Sequence, residues 1–220
     1  MKNLTIHLIR HGQSTDNARS ASGIDIIGQK PDVPLSDLGK SQAFQLGQYY
    51  KNNNIDFIYS SPYLRALNTA EIFAAEIGYS KSRIEIVPDL REYSAGDWTG
   101  KNRDEVLTEE VKKKIKKDPM GFVFPGGESM NDVQHRAITW FDDKINDLIE
   151  AGAIDNGSVN IVLFSHGQTL KTILQSVLEF APKYVWSMTI DNSSVSKIST
   201  NKDSDYFYLK CINDCSHLTK

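Results

Sequence analysis

Cysteine is almost absent from this chain: Cys211 and Cys215 are the only two in 220 residues. Such sparse usage argues against a disulfide framework and points to a reducing, cytosolic compartment. Long apolar runs are also missing. No stretch approaches the ~20 consecutive apolar residues of a membrane helix, so a bilayer is not an expected partner. The opening "MKNLTIHLIRHG" holds only a short apolar run ending in Arg-His, and it reads as a buried strand rather than a signal peptide. Positive charge is not in excess either. The formal net charge is −3, which leaves no footprint for nucleic acid. Any affinity for an anionic ligand must therefore come from a local cluster of cations. What remains is an ordinary composition, 40% hydrophobic and 24% charged. A chain this long can bury roughly 70% of its unfolded surface, so it needs no disulfide or metal staple.

Strand and helix patterns alternate. "LTIHLI" (4–9), "IDFIYSS" (55–61), "RIEIVP" (83–88) and "SVNIVLFS" (158–165) read as strands. A polar stretch follows the first strand to about residue 35. Ser36 caps a helix whose Leu38, Ala43 and Leu46 recur at helical spacing. A second helix starts at Pro62 and ends before Gly78. A Lys-rich helix is expected around 103–117. Ser129 and Asp132 form a capping box for a long helix over 130–150. "QTLKTILQSVLEF" is the helix after the fourth strand. The order implies a mostly parallel sheet with helices on both faces. The last two strands, 193–200 and 205–213, are joined too tightly for a crossover helix, so they pair antiparallel.

One phrase occurs twice. "LIRHGQSTDN" (8–17) and "LFSHGQTLK" (163–171) each end an apolar strand in His-Gly-Gln plus a hydroxyl residue. Ligands of open α/β sheets bind beyond the carboxyl ends of the strands, so His11 and His166 are expected at one rim. Gly12 and Gly167 let the backbone turn there, and the N–H groups that follow favour anions. Arg10 adds charge beside His11, and Arg65 follows the second strand to the same rim. With Ser14 and Asn17, the set suits a phosphate. A neutral imidazole can attack phosphorus while a protonated one stabilises the developing charge. Glu92, after the third strand, is placed to protonate the leaving oxygen.

These residues resemble the Arg-His-Gly signature of the histidine phosphatase superfamily, the phosphoglycerate mutase-like family. "DVPLSDLGKSQA", "YSSPYLRALNTAEI", "LREYSAGDWTGK", "PGGESMNDVQHRA", "VLFSHGQTLKTIL" and "IDNSSVSKI" extend the likeness over nearly the whole chain. The resemblance implies a single domain over 1–220, a three-layer α/β/α sandwich with a mostly parallel central sheet and an antiparallel strand near the C-terminus. Residues around 93–128 would form a cap-like insertion over the mouth. It implies catalytic roles for His11, as the phosphorylated nucleophile, for Glu92, as the proton donor, and for His166. It places Arg10, Asn17 and Arg65 on the phosphate, with Gln13, Ser14 and Gln168 beside it. No metal and no cofactor are implied. The expected activity is a metal-independent phosphomonoesterase acting through phosphohistidine on a small phosphorylated metabolite. The alternative is a mutase or phosphotransferase using the same pocket. The glycolytic mutases share an "ERHYG"-like stretch, whereas this chain reads "REYSAGDWTG", which favours the phosphatase. Homo-oligomerisation stays open.

Other readings compete for individual residues. Ser14 and Asn17 could cap the following turn instead of touching a ligand. His7 is expected to be packed and His135 half-exposed. Cys211, Cys215 and His217 lack a fourth ligand for a metal and read as free thiols and a histidine. A zinc held by His11, His166 and Glu92 is a further alternative, one that the arginines oppose. "VKKKIKKDP" (111–119) reads as a solvated helix face, with steering of polyanionic substrates as its alternative. Trp98, Phe122 and Phe124 line either an apolar substrate pocket or the interior of the cap.

Overall fold

A computed structural model describes residues 3–219 except 24 and 156. The first strand, β1 (Leu4–Arg10), lies inside a six-stranded sheet. It is followed by β2 (Phe57–Ser60), the two-residue β3 (Glu85–Ile86), β4 (Val159–Ser165), β5 (Val195–Thr200) and β6 (Tyr208–Asp214). Their order across the sheet is β3-β2-β4-β1-β5-β6. The first four run parallel, and β5 is antiparallel to both β1 and β6.

The helices among the described residues are α1 (Thr15–Ala21), α2 (Asp37–Tyr50), α3 (Leu64–Glu76), α4 (Arg103–Val106), α5 (Glu109–Lys117), α6 (Met130–Glu150) and α7 (Gly167–Leu178). Period-two alternation divides the strands between two cores. Leu4, Ile6 and Leu8 of β1, with Ile161 and Leu163 of β4, pack against α6 and α7 through Phe141, Leu170 and Ile173. Ile9, Val162 and Phe164 point the other way, onto Leu46 and Tyr50 of α2 and Phe73 of α3. The result is the three-layer sandwich that the sequence implies.

A third apolar cluster lies away from the sheet. Ile27, Ala95, Met120, Phe124, Met130, Val133 and Val185 form it, with Trp98 and Phe122 against them. The two latter rings and Phe124 pack on one another at 5.4–6.1 Å. These aromatics thus build the interior of the 93–128 segment and do not line the cleft described below.

Several local expectations shift. The polar stretch after β1 contains α1, a helix too short and too polar to show an apolar period. Pro62 precedes the first turn of α3, whose cap is Tyr63. The single Lys-rich helix is two, because Thr108 caps a new start at α5. His135 is exposed on α6, not half-exposed. His7 is buried against Tyr50, whose hydroxyl lies 2.7 Å from Nδ1.

The chain leaves β1 toward β2 on one side and leaves β4 toward β5 on the other. Loops after neighbouring parallel strands therefore diverge, opening a crevice at their carboxyl ends. Arg10 pairs in register with Ser165, so the residues that follow, His11 and His166, reach the rim side by side.

Candidate active site

The imidazoles of His11 and His166 stand 5.1 Å apart, centroid to centroid. His11 Nδ1 lies 2.7 Å from the Gly12 carbonyl, which can only accept, so Nδ1 carries the proton. The lone pair is then on Nε2. Arg65 agrees with that tautomer: its Nε–H donates to His11 Nε2 at 3.3 Å, while Nη1 donates to the Lys30 carbonyl at 2.9 Å. Burial first, and then Arg65 and Arg10, hold the His11 pKa well below the ordinary histidine value. The ring is neutral at pH 7 with its lone pair toward a guanidinium.

His166 is fully buried, and Ser61 Oγ sits 2.7 Å from its Nε2. Its pKa is also depressed, by burial and then by Arg65, His11 and Arg10. The expected division into one neutral and one charged histidine is thus not built into the protein alone. Nor does His166 line the cleft; it backs His11 from behind, with Tyr63 edge-on at 5.2 Å.

The cleft itself has a volume of about 250 Å³. Arg10, His11, Asn17, Arg65, Glu92 and Gln168 line it, all of them foreseen from the sequence. Arg10 is braced by the Ile190 carbonyl at 2.7 Å. Three buried polar atoms here have no hydrogen-bond partner among the described residues: Arg10 Nε, Gln168 Oε1 and, behind the wall, His166 Nδ1.

Glu92 is held at the start of α7. Its carboxylate accepts from the Gln168 amide (3.1 Å), the Thr169 amide (3.2 Å) and the Thr169 hydroxyl (3.2 Å). Arg136 fastens the segment by donating to the Asp89, Arg91 and Glu92 carbonyls and to Glu128. Burial works against a charged Glu128. Arg136, the Ser94 amide and Arg91 outweigh it and keep that carboxyl below its ordinary range.

Two expectations need correcting. Gln13 and Ser14 do not line the cleft. Gln13 Oε1 accepts from the Ser36 hydroxyl at 2.7 Å, and Ser14 caps α1 in a reciprocal box with Asn17. The backbone amides after each His-Gly are not free for an anion either. Gly12 donates to Thr69 Oγ1, Gln13 to Gln42, and Gln168 and Thr169 to Glu92. Side-chain cations, not backbone donors, make this cleft positive. Among the described residues no three His, Cys, Asp or Glu side chains group as a metal site, so His11, His166 and Glu92 do not form the zinc cage considered as an alternative.

Sequence reasoning missed Lys171, Tyr93, Arg103, Asp25 and Gln29 in the wall. Lys171 was within reach: it follows Gln168 by three residues and Gly167 by four on α7, so it shares their face. Tyr93 was within reach too, next to Glu92, whereas Arg103 and Asp25 depend on a long-range contact. The Ile27 amide donates to the Lys101 carbonyl, the Gly100 amide to Ile27, and the Arg103 amide to Asp25. No local pattern announces that pairing. Asn192 was missed as well. Its side-chain amide donates to the His11 carbonyl at 3.0 Å and approaches Asn17 Oδ1 at 3.3 Å.

The profile of the histidine phosphatase superfamily (branch 1) matches residues 6–214. A protein of Photorhabdus laumondii subsp. laumondii named "Probable phosphoglycerate mutase GpmB" is 31% identical over 197 residues, 89% of this chain and 84% of that protein. A solved phosphoserine phosphatase from Entamoeba histolytica, in complex with 3-phosphoglyceric acid, is 25% identical with a TM-score of 0.78, covering 98% of this chain and 100% of that one. A mycobacterial glucosyl-3-phosphoglycerate phosphatase superposes with a TM-score of 0.78 at 23% identity, over 96% of this chain and 99% of that one.

Proposed function

The chain belongs to the histidine phosphatase superfamily, branch 1, and we propose that within it the protein is a phosphomonoesterase of small phosphorylated metabolites, working through His11. The observation that carries this reading is the His11 tautomer: a neutral ring, its Nε2 lone pair fixed by the Gly12 carbonyl and set against Arg65 in a cleft lined by Arg10 and Lys171. A guanidinium that faces a nucleophilic nitrogen also faces whatever that nitrogen attacks.

In the first step His11 Nε2 bonds to phosphorus and the ester P–O bond breaks. Arg10, Arg65 and Lys171 neutralise the equatorial oxygens, and Asn17 donates to one of them. The departing oxygen takes its proton from the Glu92 carboxyl, leaving a free alcohol. The dianion reverses the local field, so His166 gains a proton and steadies the charge. In the second step a water gives its proton back to Glu92 and attacks phosphorus. The N–P bond breaks and inorganic phosphate leaves. Gln168, with its unpartnered Oε1, is assigned to the substrate side of the cleft.

Hydrolysis rather than transfer is favoured at the mouth. The Asp25–Arg103 ion pair there is about half-exposed, which supports a mouth open to water rather than one sealed for transfer. A mutase must keep water out. That second reading has its own support in the name of the Photorhabdus relative.

The test is a phosphate-release screen over many monoesters, run in chelator. Wild type is expected to turn over and to yield an acid-labile phosphoenzyme. His11→Ala is expected to lose on the order of 10³-fold or more in kcat. Turnover by that variant at the wild-type rate would sink the reading, and isomerisation without free phosphate would replace it by the mutase.

A further inference from the structure

Beside the cleft, on the other side of Arg103, lies a groove of about 320 Å³. Its floor is apolar: Leu107, Ile115, Pro119 and Trp186. Its rim is cationic, with Lys112 and Lys116 from α5 and Lys183 from the turn before Trp186. The basic run on α5 is therefore not a uniformly solvated face. Ile115 points its apolar side chain into the groove, and Lys112 and Lys116, three residues before and one after, bracket it.

The charges are not all spent locally. Lys112 pairs with Glu109 at 2.9 Å, and Arg103 with Asp25 at 3.0 Å. Among the described residues neither Lys116 nor Lys183 has a carboxylate within ion-pair distance. Two cations over an apolar floor complement a body with an apolar stem and an anionic end. Arg103 belongs to both walls, so groove and phosphate cleft are neighbours with one side chain between them.

We propose that this groove holds the leaving group of the substrate: an extended alcohol whose apolar stem runs past Arg103 and whose far end carries an anion that meets Lys116 and Lys183. The proposal rests on the phosphatase reading above and narrows it to amphiphilic phosphomonoesters with a second anionic group.

Two arms test it. In the kinetic arm, wild type and Lys116→Glu/Lys183→Glu are compared on phosphoserine, dodecyl phosphate and ω-carboxylated dodecyl phosphate. The kcat/KM ratio of the carboxylated ester to phosphoserine is expected to fall about ten-fold or more on charge reversal, mostly through KM, with dodecyl phosphate affected less. In the binding arm, His11→Ala protein is titrated with the carboxylated ester by calorimetry and Trp186 emission, with Trp186→Phe as the control for the signal. Binding that is tighter than for phosphoserine and weakened by the double reversal supports the groove even if no ester is ever hydrolysed. Binding indifferent to both lysines overturns it, even if phosphoserine is turned over readily.

Discussion

At the scale of single residues, the two His-Gly-Gln phrases turn out to be unequal. A Cβ on Gly12 would stand 2.5 Å from the Gly39 carbonyl oxygen, because the loop after β1 packs backbone to backbone against the start of α2. A Cβ on Gly167 would meet only the Arg10 side chain, at 3.6 Å or more. Gly12→Ala is therefore expected to displace His11 and cost ~1–3 kcal/mol, whereas Gly167→Ala, at the first position of a helix, should be close to neutral. Urea midpoints of the two variants check this, and equal midpoints would remove the distinction. Glu92 supplies a second prediction. If it protonates the leaving oxygen, Glu92→Gln should slow the first step, release of the alcohol in a single turnover, by ~10²–10⁴-fold for esters of alkyl alcohols and spare the burst of 4-nitrophenol from 4-nitrophenyl phosphate, whose leaving group needs no proton. An equal loss on both classes would instead point to Glu92 acting only as the anchor of α7.

At the scale of elements, α7 is fastened differently at its two ends. Its first turn has no side-chain cap of its own from His166, and Glu92 reaches across from another segment to take two of its amides. That arrangement couples the position of the carboxylate to the helix that carries Gln168 and Lys171. At its other end Glu179 is exposed and sits in the left-handed region at φ 52°, where a Cβ is unfavourable. Glu179→Gly is expected to stabilise the protein by ~0.5–1 kcal/mol with activity unchanged. A lower denaturation midpoint would contradict that strain.

The elements also show how far local pattern reaches. Strands β1 and β4 and helices α2 and α6 were legible, because each carries a clean apolar period between recognisable caps. Ser129 with Asp132 is an example, and the box forms as expected. The strand expected over 83–88 shrinks to Glu85–Ile86, since it lies at the sheet edge with both side chains exposed. Helix α1 escaped notice because none of its residues is buried.

At the scale of the whole molecule, histidine burial ties stability to pH. Burial, with Lys197 adding to it, lowers the His7 pKa to about 4. Unfolded histidine titrates near ~6.5, so between these values the unfolded chain binds the extra proton. The stabilisation is complete above the unfolded value and is lost as pH falls toward the folded one. His11 and His166 are depressed in the same direction and add to the effect. Stability is expected to fall by up to ~1.4 kcal/mol per pH unit from His7 alone across that window. His7→Gln should show a shallower slope in urea unfolding followed from neutrality to about pH 5. A slope identical to wild type would refute the assignment.

The sequence by itself determined the layered α/β/α architecture, because strand and helix periods are properties of neighbouring residues. It named the members of the cluster, since Arg10 ends the first strand, His11 follows it, and Arg65 lies in the first turn of the helix after the second. Only the tertiary structure decided which groups share the wall with them. Lys171, Arg103 and Asp25 arrive from helix register and from a loop pairing, and Gln13 and Ser14 turn away because Ser36 and α1 claim their hydrogen bonds first. The physical reason is satisfaction of polar groups. A backbone amide or hydroxyl at a rim is free for a ligand only when no other segment has reached it, and which segment reaches it is a long-range fact.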